Sequence, residues 1–154
     1  MPPPFPLPAP TLFRLAPAHA PACLALDRAA LGGLWSLGQW QRELEEEERP
    51  GIGLGRGPEL LAMACGWLVL DELHITLVAV APGHRRRGFG RRVLVELMDH
   101  AALRGATRAT LEVAAGNDSG RGLYGALGFR TAGIRHGYYR NGEDALIQWL
   151  SMKT

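Results

Sequence analysis

The chain has 154 residues, 47% of them hydrophobic, which suits one domain with a substantial core and is short for two. A net charge of only +2 does not mark the whole chain as a nucleic-acid binder, and no apolar run reaches the roughly 18 residues of a membrane span. Cys23 and Cys65 form no CxxC pair and the five histidines show no ligand spacing, so two buried free thiols, no disulfide framework and no metal are expected. Residues 1–10, Met1-Pro2-Pro3-Pro4-Phe5-Pro6-Leu7-Pro8-Ala9-Pro10, lack a basic n-region and an h-region. They read as an extended, polyproline-like or disordered tail on a cytoplasmic protein, and residues 11–154 as the single folded domain.

Thr11–Leu15 reads as a short strand and His19–Leu31 as a helix ended by Gly32-Gly33. Ser36 can cap a second helix carrying Leu37, Trp40 and Leu44, with Glu45–Glu48 as its frayed, solvated end. Pro50-Gly51 breaks the chain, and residues 51–58 are Gly-rich enough to be a loop or a weak strand. Leu60–Leu70 and His74–Val80 read as strands joined in hairpin fashion at Asp71-Glu72, and their near-continuous apolar character implies burial on both faces. From Arg91 to Leu103, residues Val93, Leu94, Leu97, Met98, Ala101 and Ala102 make one helix face, with Gly105 placed as its cap. Ala109–Ala114 alternates as a strand, Asn117–Leu127 is a helix closed by Gly128, and two strands follow around Asn141-Gly142. The order implies a single α/β domain with a mixed, twisted central sheet flanked by about four helices.

The run from Leu77 to Leu94 carries the strongest functional signal, because an apolar strand feeds an Arg/Gly turn that opens straight into a helix. The first amides of a helix lack intrahelical partners and sit at the positive end of its dipole, so a pyrophosphate fits there. Gly88 and Gly90 permit close backbone approach, and Arg85, Arg86, Arg87, Arg91 and Arg92 can add charge-assisted hydrogen bonds. A P-loop is excluded by Gly90-Arg91-Arg92, and the dinucleotide fingerprint by Val93 in place of a third Gly or Ala.

This turn, followed by Leu111-Glu112-Val113, then Asn117, then Leu123-Tyr124-Gly125-Ala126-Leu127-Gly128-Phe129, resembles the GNAT superfamily of acetyl-CoA-dependent N-acetyltransferases. Within it the chain is similar to RimI-type ribosomal-protein-alanine N-acetyltransferases, through Trp35-Ser36 with Gln39 and Glu43-Leu44, and through the ending Tyr138-Tyr139-Arg140-Asn141-Gly142-Glu143-Asp144-Ala145-Leu146-Ile147. Gly116 stands where such enzymes often have Ser, and Gly120 and Gly122 where Ala is common, which implies a flexible helix around Tyr124. The resemblance implies acetyl-CoA as co-substrate, its pantetheine arm paired with the backbone of Val78, Ala79 and Val80, and its pyrophosphate cradled by Arg86, Arg87, Gly88, Phe89, Gly90 and Arg91. Asn117 would contact the cofactor arm, Tyr124 would lie near the sulfur, and a backbone N–H near Val80 would polarise the thioester carbonyl.

Amide formation from a thioester needs a neutral amine and a protonated leaving thiolate, so a base and an acid should flank the carbonyl. Glu112 and Tyr124 are suitable types, and the resemblance assigns them those roles by direct attack in a ternary complex. Their plainer readings are a strand carboxylate paired with an arginine and a helix tyrosine packed beside Leu123 and Leu127. Tyr138, Tyr139 and Asp144 are expected at the acceptor groove. The acceptor implied is a protein N-terminal α-amine, the N-terminal alanine of a small-subunit ribosomal protein, with no nucleic acid or membrane partner. Two competing readings are a GNAT enzyme acting on a lysine side chain or small amine, and a non-catalytic acyl-CoA-binding module.

Overall fold

Ser36 opens the second helix through a reciprocal cap: its Oγ accepts from the Gln39 amide at 3.2 Å, and Gln39 Oε1 accepts from the Ser36 amide at 2.8 Å. The computed structural model describes residues 7–152, so Met1–Pro6 of the expected tail lie outside the described residues. Pro8 lies within them, and its carbonyl accepts from Arg56 Nε at 2.6 Å. The elements run β1 (Thr11–Arg14), α1 (Ala20–Leu31), α2 (Leu37–Glu45), β2 (Gly51–Arg56), β3 (Glu59–Val69), β4 (Glu72–Val80), α3 (Phe89–Leu103), β5 (Arg108–Ala114), α4 (Asp118–Ala126), β6 (Arg130–Arg135) and β7 (Ala145–Ser151). They form one seven-stranded sheet in the order β1-β2-β3-β4-β5-β7-β6, antiparallel throughout except between β4 and β5. A single mixed α/β domain with four α-helices is therefore the observed class.

The connection from α1 to α2 is pinned from inside. Asp27 is fully buried, and its carboxylate accepts from the amides of Leu34 (2.8 Å) and Trp35 (3.0 Å) and from Trp40 Nε1 (3.0 Å). Gly32, at φ 80, ends α1 in the left-handed conformation its sequence position suggested. The acidic run behaves differently from expectation: α2 stops at Glu45 and Glu46 is extended, so Glu46–Glu48 lie beyond the helix. The Gly-rich segment left open between loop and strand is the buried strand β2, set between β1 and β3. Its glycines are explained by neighbours, since a Cβ on Gly53 would stand 2.7 Å from Phe13 Cζ.

Two apolar clusters cover the two faces of the sheet. One gathers Ile75, Val93, Leu94, Leu97, Leu111 and Phe129 under α3 and α4, and the other gathers Cys23, Leu26, Trp40, Met63, Leu77 and Ala79 under α1 and α2. Strand β4 joins both. Its register with β3 shifts between Gly66↔Ile75 and Cys65↔Leu77, leaving Thr76 as an extra residue whose Oγ1 donates to the Cys65 carbonyl at 3.1 Å. Leu73 and Ile75 consequently face one cluster, while Leu77 and Ala79 face the other. Burial on both faces holds for most of β3, but β4 alternates buried and half-buried residues along its whole length, a departure from the expected burial on both faces.

Candidate active site

The parallel pairing of β4 with β5 is brief. It joins Glu72–His74 to Arg108–Thr110 and stops, although β4 continues to Val80 and β5 to Ala114. The carboxyl ends of two parallel strands thus separate, and the β5-facing edge of β4 from Ile75 to Val80 has no strand partner among the described residues. A strand edge of this kind offers alternating N–H and C=O groups to an extended ligand. Val78, Ala79 and Val80 lie on it.

Beyond β4, a short 3₁₀ turn (Pro82–His84) leads to Arg86 at φ 65 and Gly88 at φ 78, and α3 begins at Phe89. The first α3 hydrogen bond runs from the Arg92 amide to the Gly88 carbonyl at 3.1 Å, so the amides before Arg92 are free for a ligand. Arg85, Arg86, Arg87, Arg91 and Arg92 are exposed and form no ion pair among the described residues. A Cβ at Gly90 would make ordinary contacts with Val80 Cγ2 at 3.4 Å and Leu123 Cδ2 at 3.5 Å, so that side of the residue faces the protein and has room for a methyl but little more. His84 stacks on Phe89 at 6.2 Å, and its buried Nδ1 has no partner among the described residues. An unpaired strand edge, a free helix start and uncommitted arginines fit coenzyme A in one continuous path.

Glu112, on β5, presents its carboxylate on the sheet face opposite Leu111 and Val113, with its side chain 21% exposed. Its Oε2 lies 2.8 Å from His74 Nε2, and its Oε1 lies 3.8 Å from Arg135 Nε. The plainer reading of this residue, a strand carboxylate beside an arginine, therefore describes part of its setting. His74 and Arg135 belong to the cluster and were not singled out from sequence.

Tyr124 comes from α4 and meets Phe129 edge to face at 5.9 Å. Burial, reinforced by the neighbouring Tyr139, pushes its phenol up to about 12, so the hydroxyl keeps its proton at neutral pH. Tyr139 is half-buried and is raised in its turn by burial, then by Glu112, Tyr138 and Glu143. Tyr139 is thus coupled electrostatically to both Glu112 and Tyr124. Tyr138 meets Tyr139 edge to face at 5.2 Å and carries the Arg135 guanidinium 5.8 Å from its ring centre.

Asn117 is the N-cap of α4, its Oδ1 accepting from the Gly120 amide at 2.9 Å, and its Nδ2 makes no hydrogen bond among the described residues. A Cβ on Gly120 would lie 2.7 Å from that Nδ2, so the glycine leaves room for the cap. Gly116 is explained likewise, since its amide donates to Glu143 Oε2 in the space a side chain would take. Asp144, expected at the acceptor groove, braces its own loop: it accepts from the Gly137 amide at 2.9 Å and lies 3.4 Å from His136 Nδ1. Chiefly that backbone donor holds its carboxyl below the ordinary range.

The description "Acetyltransferase (GNAT) family" matches residues 20–129. The [ribosomal protein bS18]-alanine N-acetyltransferase of Salmonella typhimurium is 34% identical over 143 residues, spanning 91% of this chain and 96% of that one. A Bacillus subtilis relative is 38% identical over a shorter stretch, 60% of this chain and 62% of its own. The crystal structure of the Escherichia coli ribosomal-protein-S18-alanine N-acetyltransferase superposes with a TM-score of 0.86 at 32% identity, covering 94% of this chain and 95% of the other. A separated pair of parallel strands beside a basic helix start and a likeness that runs almost end to end lead to one conclusion: the chain belongs to the GNAT family and is an acetyl-CoA-dependent N-acetyltransferase.

Proposed function

We propose that the enzyme acetylates the α-amine of a protein N-terminus, the N-terminal alanine of the small-subunit ribosomal protein bS18, in the cytoplasm. The near full-length likeness to bS18-alanine N-acetyltransferases supports the acceptor. The geometry that carries the reading is Glu112, hydrogen-bonded to His74 on the part of β5 that has separated from β4, together with the buried, un-ionised phenol of Tyr124 on α4. No α-helix among the described residues is long and apolar enough to cross a membrane.

Acetyl-CoA supplies the activated acyl group, and the chain's own residues supply position and proton traffic. The β4 edge at Val78–Val80 and the turn Arg86–Arg91 hold the arm and pyrophosphate, with Asn117 beside the arm. Glu112, oriented by His74, takes a proton from the acceptor ammonium directly or through water, and the neutral amine attacks the thioester carbonyl. As the C–S bond breaks, the un-ionised Tyr124 hydroxyl donates toward the departing sulfur. Tyr138 and Tyr139 wall the acceptor entrance, and Asp144 fixes the loop that carries them. Residues 11–154 act as one catalytic domain, with residues 1–10 as a tail.

Labelled acetyl-CoA offered with N-terminal peptides, lysine-containing peptides and polyamines tests the acceptor. Incorporation into the α-amine of the Ala-initiated bS18 peptide is expected. Preference for a lysine side chain or a polyamine would reassign the acceptor, and binding without transfer to any amine would make the protein an acyl-CoA-binding module.

A further inference from the structure

The two oxygens of Glu112 are held very differently. Oε2 is hydrogen-bonded to His74 Nε2 at 2.8 Å, whereas Oε1 meets only Arg135 Nε at 3.8 Å, beyond hydrogen-bonding distance. Arg135 ends strand β6 with its side chain 53% exposed, and it makes no side-chain hydrogen bond among the described residues. Its other neighbour is the ring of Tyr138, at 5.8 Å, itself an exposed residue. The charged and titratable groups around the carboxylate are thus His74 from β4, Arg135 from β6, and Tyr138 and Tyr139 from the β6–β7 loop.

An acceptor amine arrives largely as an ammonium ion at neutral pH, and it must bring that charge to the base before it can be deprotonated. With His74 committed to Oε2, the open oxygen is Oε1, the one that Arg135 attends. Two cations on one carboxylate oxygen repel, and a long, half-exposed arginine without a hydrogen bond is the partner that can leave. We infer that Arg135 is a displaceable stand-in for the acceptor ammonium, compensating Glu112 while the site is empty and yielding Oε1 to the incoming cation. Acetylation removes the charge from the nitrogen, so the product amide no longer competes and Arg135 returns. The residue would therefore set the affinity for the charged acceptor and leave that for the neutral product little affected. This inference rests on Glu112 acting as the base, and not on which amine is the natural acceptor.

The test uses Arg135→Gln and the amine acceptor selected by the peptide and polyamine panel, with the N-acetylated form of the same molecule as a control. Calorimetry on the CoA-loaded enzyme should show the free amine binding about three- to tenfold more tightly to Arg135→Gln than to the wild type, with the acetylated form little changed. The KM for the acceptor should fall by the same factor, with a smaller change in kcat, and Arg135→Lys should restore wild-type behaviour because it keeps the charge. Weaker binding of the free amine, an equal shift for both forms, or a tenfold loss of kcat at unchanged KM would overturn the inference. If Arg135→Gln folds poorly, Arg135→Met carries the same comparison. Full turnover by Glu112→Gln would instead remove the base on which the inference depends.

Discussion

The roles proposed for Tyr124 and Glu112 have opposite requirements, one needing to keep a proton and the other to accept one, and their variants should fail in different ways. Glu112→Gln and Tyr124→Phe are each expected to lower acetyl transfer by roughly 10² to 10⁴-fold while keeping most coenzyme affinity. Glu112→Gln should recover partly at high pH, where the amine is already neutral, and Tyr124→Phe should not; rates across pH at saturating acetyl-CoA distinguish them. Tyr124 also carries a stability signature. Its phenol is raised from about 10 to about 12, so below pH 10 it is neutral in both folded and unfolded chains. Between those values only the unfolded chain ionises, and stability should fall there, less steeply in Tyr124→Phe, as denaturant titrations at increasing pH would show. Cys23 and Cys65 are buried free thiols, and burial pushes Cys23 up to about 12 and Cys65 well up too. Neither should react with a thiol reagent at pH 8 until the protein unfolds, and rapid modification of the native enzyme would contradict their burial. Among these residues, Glu112 and Tyr124 were legible only through the company of their motifs. His74 and Arg135 were not, because a lone histidine whose partner lies 38 positions away leaves no local pattern.

The elements divide along the same line. Helix α3 was readable because its apolar spacing and its glycine-bearing start are local: Val93, Leu94, Leu97 and Ala101 of the expected face are buried and Met98 is half-buried, while Ala102, at the edge of the stripe, is exposed. The Thr76 bulge in β4 was not readable, since the residues on either side are all apolar and only the partner strand defines which one is extra. Strand β2 hid for a related reason: its glycines make room for Phe13 and Leu60 of the neighbouring strands and for Leu15 just after β1. The two turn glycines should separate by cause. Gly88 sits at φ 78 in open space, so Gly88→Val is expected to cost roughly 1–2 kcal/mol of backbone strain, while Gly88→Asn, which tolerates that conformation, should keep most of the stability. Gly90 packs on Val80 and Leu123, so Gly90→Val should push α3 away from β4 and cost about 1–3 kcal/mol. Calorimetry with CoA beside thermal melts checks both, and undiminished affinity in folded Gly88→Val and Gly90→Val would remove the turn from the site.

At the scale of the whole molecule, a nearly neutral protein concentrates positive charge at one place. With no acidic partner for Arg85, Arg86, Arg87, Arg91 or Arg92 among the described residues, coenzyme affinity should weaken as salt rises. Arg86→Ala and Arg91→Ala are each expected to lower affinity several-fold and to flatten that dependence, measured as the dissociation constant against ionic strength; an unaltered slope would count against direct phosphate contact. The overall class was legible, and the Arg/Gly turn proposed for the cofactor could be picked out, because both are written in contiguous sequence, whereas the cleft depends on where two distant strands stop pairing. The identity of these charges has one more consequence. An enzyme that lives beside a thioester is exposed to uncatalysed acylation of its own amines, and each acylated lysine loses its charge. Sixteen of the seventeen basic residues here are arginine, with Lys153 the lone lysine. A guanidinium stays protonated throughout the physiological range and offers no free electron pair to a carbonyl, so the cradle proposed to hold the co-substrate is chemically inert to it. Long incubation with acetyl-CoA would leave the cradle's charge unspent.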